Sequence, residues 1–387
     1  MNLKIILILS LSHLSIDLTG AALPAMMPFL KNALQLSYTA VGTVIMTFSL
    51  TSSIIQPCFG YISDRIEVKW LLPLSTILTY IGFSFIGLAP SFIVLLVLVV
   101  IDGMGVASYH PEGMKMMHYF TGERKATGMS FFQVGGNLGL ALGPLLITYA
   151  IKLAGLSGSL LFLIVGLPIL GVLLLFLKKL TLPIKSEKGD LRTREVDSHS
   201  VKGDSGWSSM SLLIFAVAMR SWAHMGLMTF IPFYYINVLE GDAFAAGRLL
   251  FVFLMGGVVG TMIGAIIADR IGHKYYFSLS MILSVPLLFL LLYASGIWVF
   301  IILFLIGLVL ISSFSVTIVM GQTILRNQLG MASGLMMGFV IGVGGLGAGF
   351  LGIVADAWGV LAVIKLITVM PAIGFIPALM IPSPLQK

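Results

Sequence analysis

Charge is scarce in this sequence. Only 10% of its 387 residues are Asp, Glu, Lys or Arg, against the ~25% of an ordinary water-soluble domain. That shortage excludes a chain that keeps all its faces in water. Cysteine is scarcer still: Cys58 stands alone, which excludes an intrachain disulfide framework and leaves the redox compartment open. Long polar stretches are missing too, save one. No phosphate-binding loop, nucleophile elbow or metal-ligand cluster stands out by spacing. The polar segments are also too short to house a catalytic domain. The chain is therefore not read as an enzyme, and neither a metal nor a cofactor is expected.

What fills the chain instead is apolar: 58% hydrophobic residues, with 43 glycines. Apolar runs of about twenty residues recur along most of it, the length an α-helix needs to cross ~30 Å of hydrocarbon. A β-barrel would need short alternating segments, and these runs are continuous. The expected class is an all-α membrane protein with the lipid bilayer as its solvent. Spans are predicted at roughly 5–30, 39–62, 71–89, 92–117, 126–150, 156–177, 208–237, 244–268, 275–294, 297–322, 331–355 and 360–382, by length and hydropathy. No cleavable signal peptide is evident. The first run continues through Pro24 and Pro28 and is read as the first span.

The basic residues test this count. With the N-terminus inside, seventeen Lys and Arg fall on inner segments and four (Lys31, Lys152, Arg248, Lys365) on outer ones, with Arg220 inside a span. That bias is what the positive-inside rule expects of a protein with both termini in the cytoplasm. The formal net charge of +7 thus reflects topology, and no nucleic-acid partner is expected. The one long polar stretch, "KKLTLPIKSEKGDLRTREVDSHSVKGDSGW" at 178–207, has mixed charge and no apolar periodicity, so it reads as a cytoplasmic linker. It divides the chain into six-helix bundles at 1–177 and 208–387.

The halves look like repeats. "GYISDR" (60–65) and "AIIADR" (265–270) follow the second and eighth spans; "ATG" (126–128) and "ASG" (332–334) open the fifth and eleventh; "VGG" recurs at 134–136 and 343–345. The offsets lie between 205 and 209. Such internal repeats are a hallmark of secondary transporters, whose substrate site lies between the halves.

Ionisable residues inside spans are the functional candidates. His13 and Asp17 in "SLSHLSID" are four residues apart and share a helix face. Arg220 and His224 in "AMRSWAHMG" repeat that spacing 207 residues later. Both pairs are expected near the midplane: Asp17 to exchange a proton and to hold Arg220 or another cation, Arg220 and His224 to bind an anionic or polar substrate group. Arginine suits this because it stays charged and offers a planar fork of donors. His110, Glu112 and Lys115 in "ASYHPEGMKMMHY" are expected near the cytoplasmic end of the fourth span, where His110 and Glu112 would form a proton-responsive inner gate. Mutual neutralisation and interfacial snorkelling are the structural alternatives. In the fifth span, Gly135, Gly139 and Gly143 recur at four-residue spacing for close helix approach. Gln133 and Asn137 could bond substrate or a neighbouring helix, and Pro144 supplies a bend.

These residues carry a resemblance. "GYISDRIEVK" resembles the loop motif of the major facilitator superfamily through Gly60, Asp64 and Arg65, with Glu67 at a position usually held by glycine. "AIIADRIGHK" keeps Asp269, Arg270 and Lys274 but has Ala265 at the leading glycine. "GNLGLALGP" resembles the antiporter motif of the fifth helix without its trailing glycine pair, and Val99 stands where the fourth helix often has arginine. Within the superfamily the chain is similar to the fosmidomycin-resistance group through "SLSHLSID", "QPCFGYISD", "YHPE" and "FFQVGGN", and in the second half through "SGLMMGF" and "GVGGLGA". The resemblance implies two six-helix bundles, alternating access and proton-coupled export of small molecules from a bacterial cytoplasmic membrane. It also implies a cytoplasmic gate at Asp64. A monomer is expected. A proton symporter importing an organic anion or sugar, and a non-transporting membrane sensor, are the alternatives.

Overall fold

A computed structural model describes residues 2–65, 70–121, 125–180, 206–325, 331–332 and 335–382. The described residues are mostly helical, with no strand among them. The helices are α1 (Leu3–Leu34), α2 (Tyr38–Ile54), α3 (Gln56–Arg65), α4 (Leu71–Phe85), α5 (Phe92–Thr121), α6 (Lys125–Ala154), α7 (Leu163–Leu180), α8 (Trp207–Asn237), α9 (Ala245–Ile271), α10 (His273–Leu291), α11 (Ile297–Leu310), α12 (Phe314–Ile324) and α13 (Val340–Met380).

Local chemistry sets the breaks. The Asn2 side chain accepts from the Ile5 backbone N–H at the start of α1, and Ser37 caps α2 by accepting from Ala40. Between α2 and α3 the chain bends at Ile55, two residues before Pro57, whose missing N–H and ring disfavour a continuous helix there. Ten helical stretches among the described residues are long and apolar enough to cross a membrane. Two of them, Met129–Lys178 with 50 residues and Val340–Met380 with 41, are too long for a single crossing at ~1.5 Å per residue. Each is interrupted inside: the first by a 3₁₀ segment at Gly155–Phe162, the second at Gly359. Gly359 has φ 79°, a conformation that residues with a Cβ avoid. Each of these two stretches is thereby divided into two helical segments. The repeat anchors at 126–128 and 333–334, and most of the expected linker (181–205), lie outside the residues or side chains described.

Packing follows the glycines. Helix α1 lies along α6, and α8 along α13. A Cβ on Gly135, Gly139 or Gly143 would run into the backbone oxygens of Ser10, Leu14 and Leu18 respectively. Both rows advance by four residues, so one glycine face of α6 meets one face of α1 backbone to backbone. Lipid offers apolar groups no incentive to pair, so such close van der Waals contact is what holds helices together in a bilayer. The most extensive crossings between the first half and the second are α2 with α13 and α6 with α9. In the former, Gly42 and Gly352 abut the backbone oxygens of Ala348 and Tyr38.

Candidate functional site: a His–Asp–His cluster and a buried arginine

The α1–α6 contact builds the site. His13 and Asp17 point from α1 towards α6, where Gly136 has no side chain to obstruct them. A Cβ there would stand 2.5 Å from His13 Cε1 and 2.6 Å from Asp17 Oδ2. The third member comes from α5. His110 Nε2 lies 3.2 Å from Asp17 Oδ1, His13 Nε2 lies 3.1 Å from Asp17 Oδ2, and the two Nε2 atoms are 3.4 Å apart.

The other ring nitrogens are already committed. His13 Nδ1 donates to the Phe132 carbonyl at 2.7 Å, and His110 Nδ1 donates to the Val106 carbonyl at 2.9 Å. A carbonyl only accepts, so both Nδ1 atoms carry hydrogen and both Nε2 atoms turn to Asp17. The His13 ring stacks on Phe132 with centroids 3.9 Å apart and stands edge-on to His110 at 5.1 Å. Tyr109 is buried beside them, its hydroxyl donating to the Leu9 carbonyl. His13 is buried, while the Asp17 and His110 side chains keep 13% and 22% exposure. The cluster is therefore walled by protein yet reachable.

This geometry corrects three expectations. His110 does not form a separate gate near the end of its helix but touches Asp17. The error lies in counting from Phe92: α5 runs on to Thr121, and its far end is level with the start of α1, where the Asn2 N–H bonds the Phe120 carbonyl at 2.9 Å. Counted from that end, His110 and His13 are each about ten residues, or ~15 Å, along antiparallel helices. Second, the groups beside Asp17 are histidines; among the described residues Arg220 makes no ion pair with it. Third, a set of metal-ligating side chains does exist, assembled from positions 13, 17 and 110.

Across the molecule, Arg220 is 4% exposed on α8. Its guanidinium carbon sits 5.4 Å from the centre of the Phe314 ring, and its Nε has no hydrogen-bond partner among the described residues. His224, one turn on, stacks obliquely on Phe253 at 5.7 Å with Nε2 likewise unpartnered. Among the described residues no carboxylate pairs with Arg220, and a buried cation without an anion is costly.

The remaining candidates are placed as follows. Gln133 Nε2 lies 3.4 Å from Asn137 Oδ1 along one exposed face of α6. Helix α6 continues through Pro144, whose carbonyl accepts from Thr148. Glu112 is buried. Gly60 lies on α3 beside Pro111, and the side chains of Asp64 and Arg65 lie outside the described ones. Asp269 pairs with His273 at 3.5 Å, and Arg270 is exposed at the end of α9. Sequence reasoning missed the specific place of Gly136, although "QVGGN" contained it. It also gave no role to Asp102, which is fully buried, accepts from Thr19 Oγ1 at 3.2 Å and leaves Oδ2 without a partner among the described residues.

Comparison with known proteins agrees with this architecture. The sequence pattern of the Major Facilitator Superfamily matches residues 9–349. The chain is 32% identical to the uncharacterized MFS-type transporter YfnC of Bacillus subtilis (strain 168), over 98% of this chain and 93% of that one. It is 31% identical to the fosmidomycin resistance protein of Escherichia coli (strain K12), over 95% and 90%. Among solved structures, a bacterial homolog of the human lysosomal transporter Spinster superposes with a TM-score of 0.79 at 16% identity, covering 99% of both chains. The nucleoside transporter NupG superposes with a TM-score of 0.72 at 15% identity, over 98% and 99%.

Proposed function

From the premise that the chain belongs to the major facilitator superfamily, and so moves small molecules across a bilayer, we propose that it exports small organic anions in exchange for protons by alternating access. The observation that carries the proton half is the convergence of both Nε2 atoms on Asp17 while both Nδ1 hydrogens are spent on main-chain carbonyls. With neutral rings and an ionised carboxylate, each Nε2 lone pair would face its own carboxylate oxygen at 3.1 or 3.2 Å and the other Nε2 at 3.4 Å, and repel both. One or two further protons convert those repulsions into charge-assisted hydrogen bonds. The cluster thus serves as a proton store whose contents depend on which aqueous side reaches it.

Arg220 and His224 serve the cargo. They lie on α8 in the second half, and the cluster lies on α1 and α5 in the first. With no ion pair between Asp17 and Arg220 among the described residues, coupling runs through the rocking of the halves rather than direct competition for one charge. The relative named for fosmidomycin resistance supports export and an anionic, phosphonate-like cargo. Both termini are assigned to the cytoplasm of a bacterial inner membrane, which places the Leu34–Tyr38 turn outside.

The test is flux in inside-out vesicles holding the purified chain, with fosmidomycin as the probe and an imposed pH gradient. Export predicts uptake that collapses with the gradient and in Asp17→Asn. Uptake indifferent to both would refute the proton role. Uptake only in right-side-out vesicles would favour the importing symporter.

A further inference from the structure

We propose that His13, Asp17 and His110 also form a binding site for a divalent transition-metal cation of the Zn²⁺ or Co²⁺ type. His13 Nε2 lies 3.1 Å from Asp17 Oδ2, His110 Nε2 lies 3.2 Å from Asp17 Oδ1, and the two Nε2 atoms are 3.4 Å apart; one ligand atom from each residue lies within 4.8 Å of the others. A tetrahedral shell with metal–ligand bonds of ~2.0–2.1 Å has ligand–ligand edges of ~3.3–3.4 Å. The Nε2–Nε2 separation matches such an edge, and each nitrogen stands at a similar distance from its own carboxylate oxygen. Hydrogen bonds to the carboxylate account for each nitrogen's contact with its own oxygen, but not for the 3.4 Å approach of the two Nε2 atoms. Each Nε2 has a single in-plane direction for a lone pair or hydrogen, and neither ring can form linear bonds along two edges at once.

The surroundings match a metal site as well. Ligating histidines generally donate their other ring N–H to a carbonyl or carboxylate, which fixes tautomer and orientation. Here both do, to Phe132 and Val106. Phe132 and Tyr109 stack against the His13 ring, and Gly136 leaves the space beside His13 and Asp17 free of a side chain. Partial exposure of Asp17 and His110 supplies the entry path, and three protein ligands leave a fourth position for water. Two imidazoles with one carboxylate suit Zn²⁺, Co²⁺ or Ni²⁺ better than Mg²⁺ or Ca²⁺, which prefer oxygen ligands throughout. Because the metal would use the lone pairs assigned above to protons, Zn²⁺ is expected to inhibit transport; that consequence alone rests on the proposed function.

The experiment uses the tag-free, chelator-stripped full chain in detergent, titrated with CoCl₂ in the absence of any gradient. One equivalent should saturate the intense visible bands of tetrahedral Co²⁺. Affinity should fall at least tenfold in His110→Gln and remain unchanged in His118→Gln and His273→Gln. Should His110→Gln fail to fold, X-ray absorption at the zinc edge of the loaded native chain decides, since the site requires two imidazole ligands. No saturable signal from the folded native chain, a signal retained in His110→Gln, or fewer than two imidazoles at zinc overturns the proposal. Each of those results leaves the flux assay intact, and gradient-independent flux leaves metal binding intact.

Discussion

The Asp356 carboxylate accepts one hydrogen bond from the Tyr38 backbone N–H and another from that of Thr39, each 2.8 Å long. Asp356 lies on the first limb of α13, whereas Tyr38 and Thr39 open α2 in the other half. The first N–H groups of a helix have no intrahelical acceptor and carry the positive end of its dipole. Asn237 of α8 adds a 2.6 Å bond to the Tyr38 hydroxyl. The halves are thus tied at the end carrying the Leu34–Tyr38 turn.

Asp356→Ala should loosen that end. The contact is solvent-exposed, so its loss is worth about 1 kcal/mol, the scale of a lost helix cap, or roughly a fivefold shift between conformations. Spin labels at Leu36 and Leu239 in a Cys58→Ser background would report it as a larger long-distance population. An unchanged distance distribution would mean that Asp356 merely caps α2.

Gly136→Ala is expected to cut gradient-driven flux at least tenfold while the chain still folds. The new methyl group would displace the His13 ring or the Asp17 carboxylate, the atoms nearest to it. Wild-type flux from this variant would show that the cluster tolerates rearrangement.

Gly139→Ala should act on stability instead. Its Cβ would strike the Leu14 carbonyl oxygen, part of a helix backbone that cannot swing aside. Overpacking of this kind costs ~1–3 kcal/mol, read as a lower thermal midpoint in detergent, and an unchanged midpoint would refute the close α1–α6 contact.

Asp102→Asn should leave the thermal midpoint unchanged or raise it. The carboxylate receives only a share of the Thr19 hydroxyl, which also faces the Ile16 carbonyl. A buried carboxylate with a single neutral donor is expensive when ionised, and among the described residues no cation pairs with it whose loss of a partner would offset the gain. A fall of more than ~2 kcal/mol, the scale of breaking a buried polar pair, would reveal a partner outside the described residues.

Arg220→Lys keeps the charge and removes the planar fork, a change that is not conservative at a bidentate site. The concentration dependence of fosmidomycin flux should show KM raised about tenfold, the ~1.4 kcal/mol of one charge-assisted bond, with pH-gradient dependence retained. An unaltered KM would remove Arg220 from the cargo site.

The spans, the four-residue glycine row of α6 and the pairing of His13 with Asp17 are legible in the sequence for one reason. Each is a relation among residues on a single helix, where ~1.5 Å per residue and 3.6 residues per turn translate spacing directly into geometry. Hydrocarbon thickness and the need to satisfy every backbone N–H and C=O then force those runs to be helices. Topology and fold class are therefore properties of consecutive residues.

The partner of Asp17 is a different kind of fact. His110 lies 93 residues further along the chain, and whether it meets Asp17 or a neighbour one turn off depends on how far α5 slides along α1. That slide is decided by shape, by the Asn2–Phe120 bond at the helix ends and by the glycine face that draws α6 onto α1. A shift of one turn, ~5.4 Å, would separate the three donor atoms. Sequence determined which side chains enter the membrane; only packing between helices decided that two imidazoles and one carboxylate share a single point, because it depends on helix register, which no spacing along one helix records.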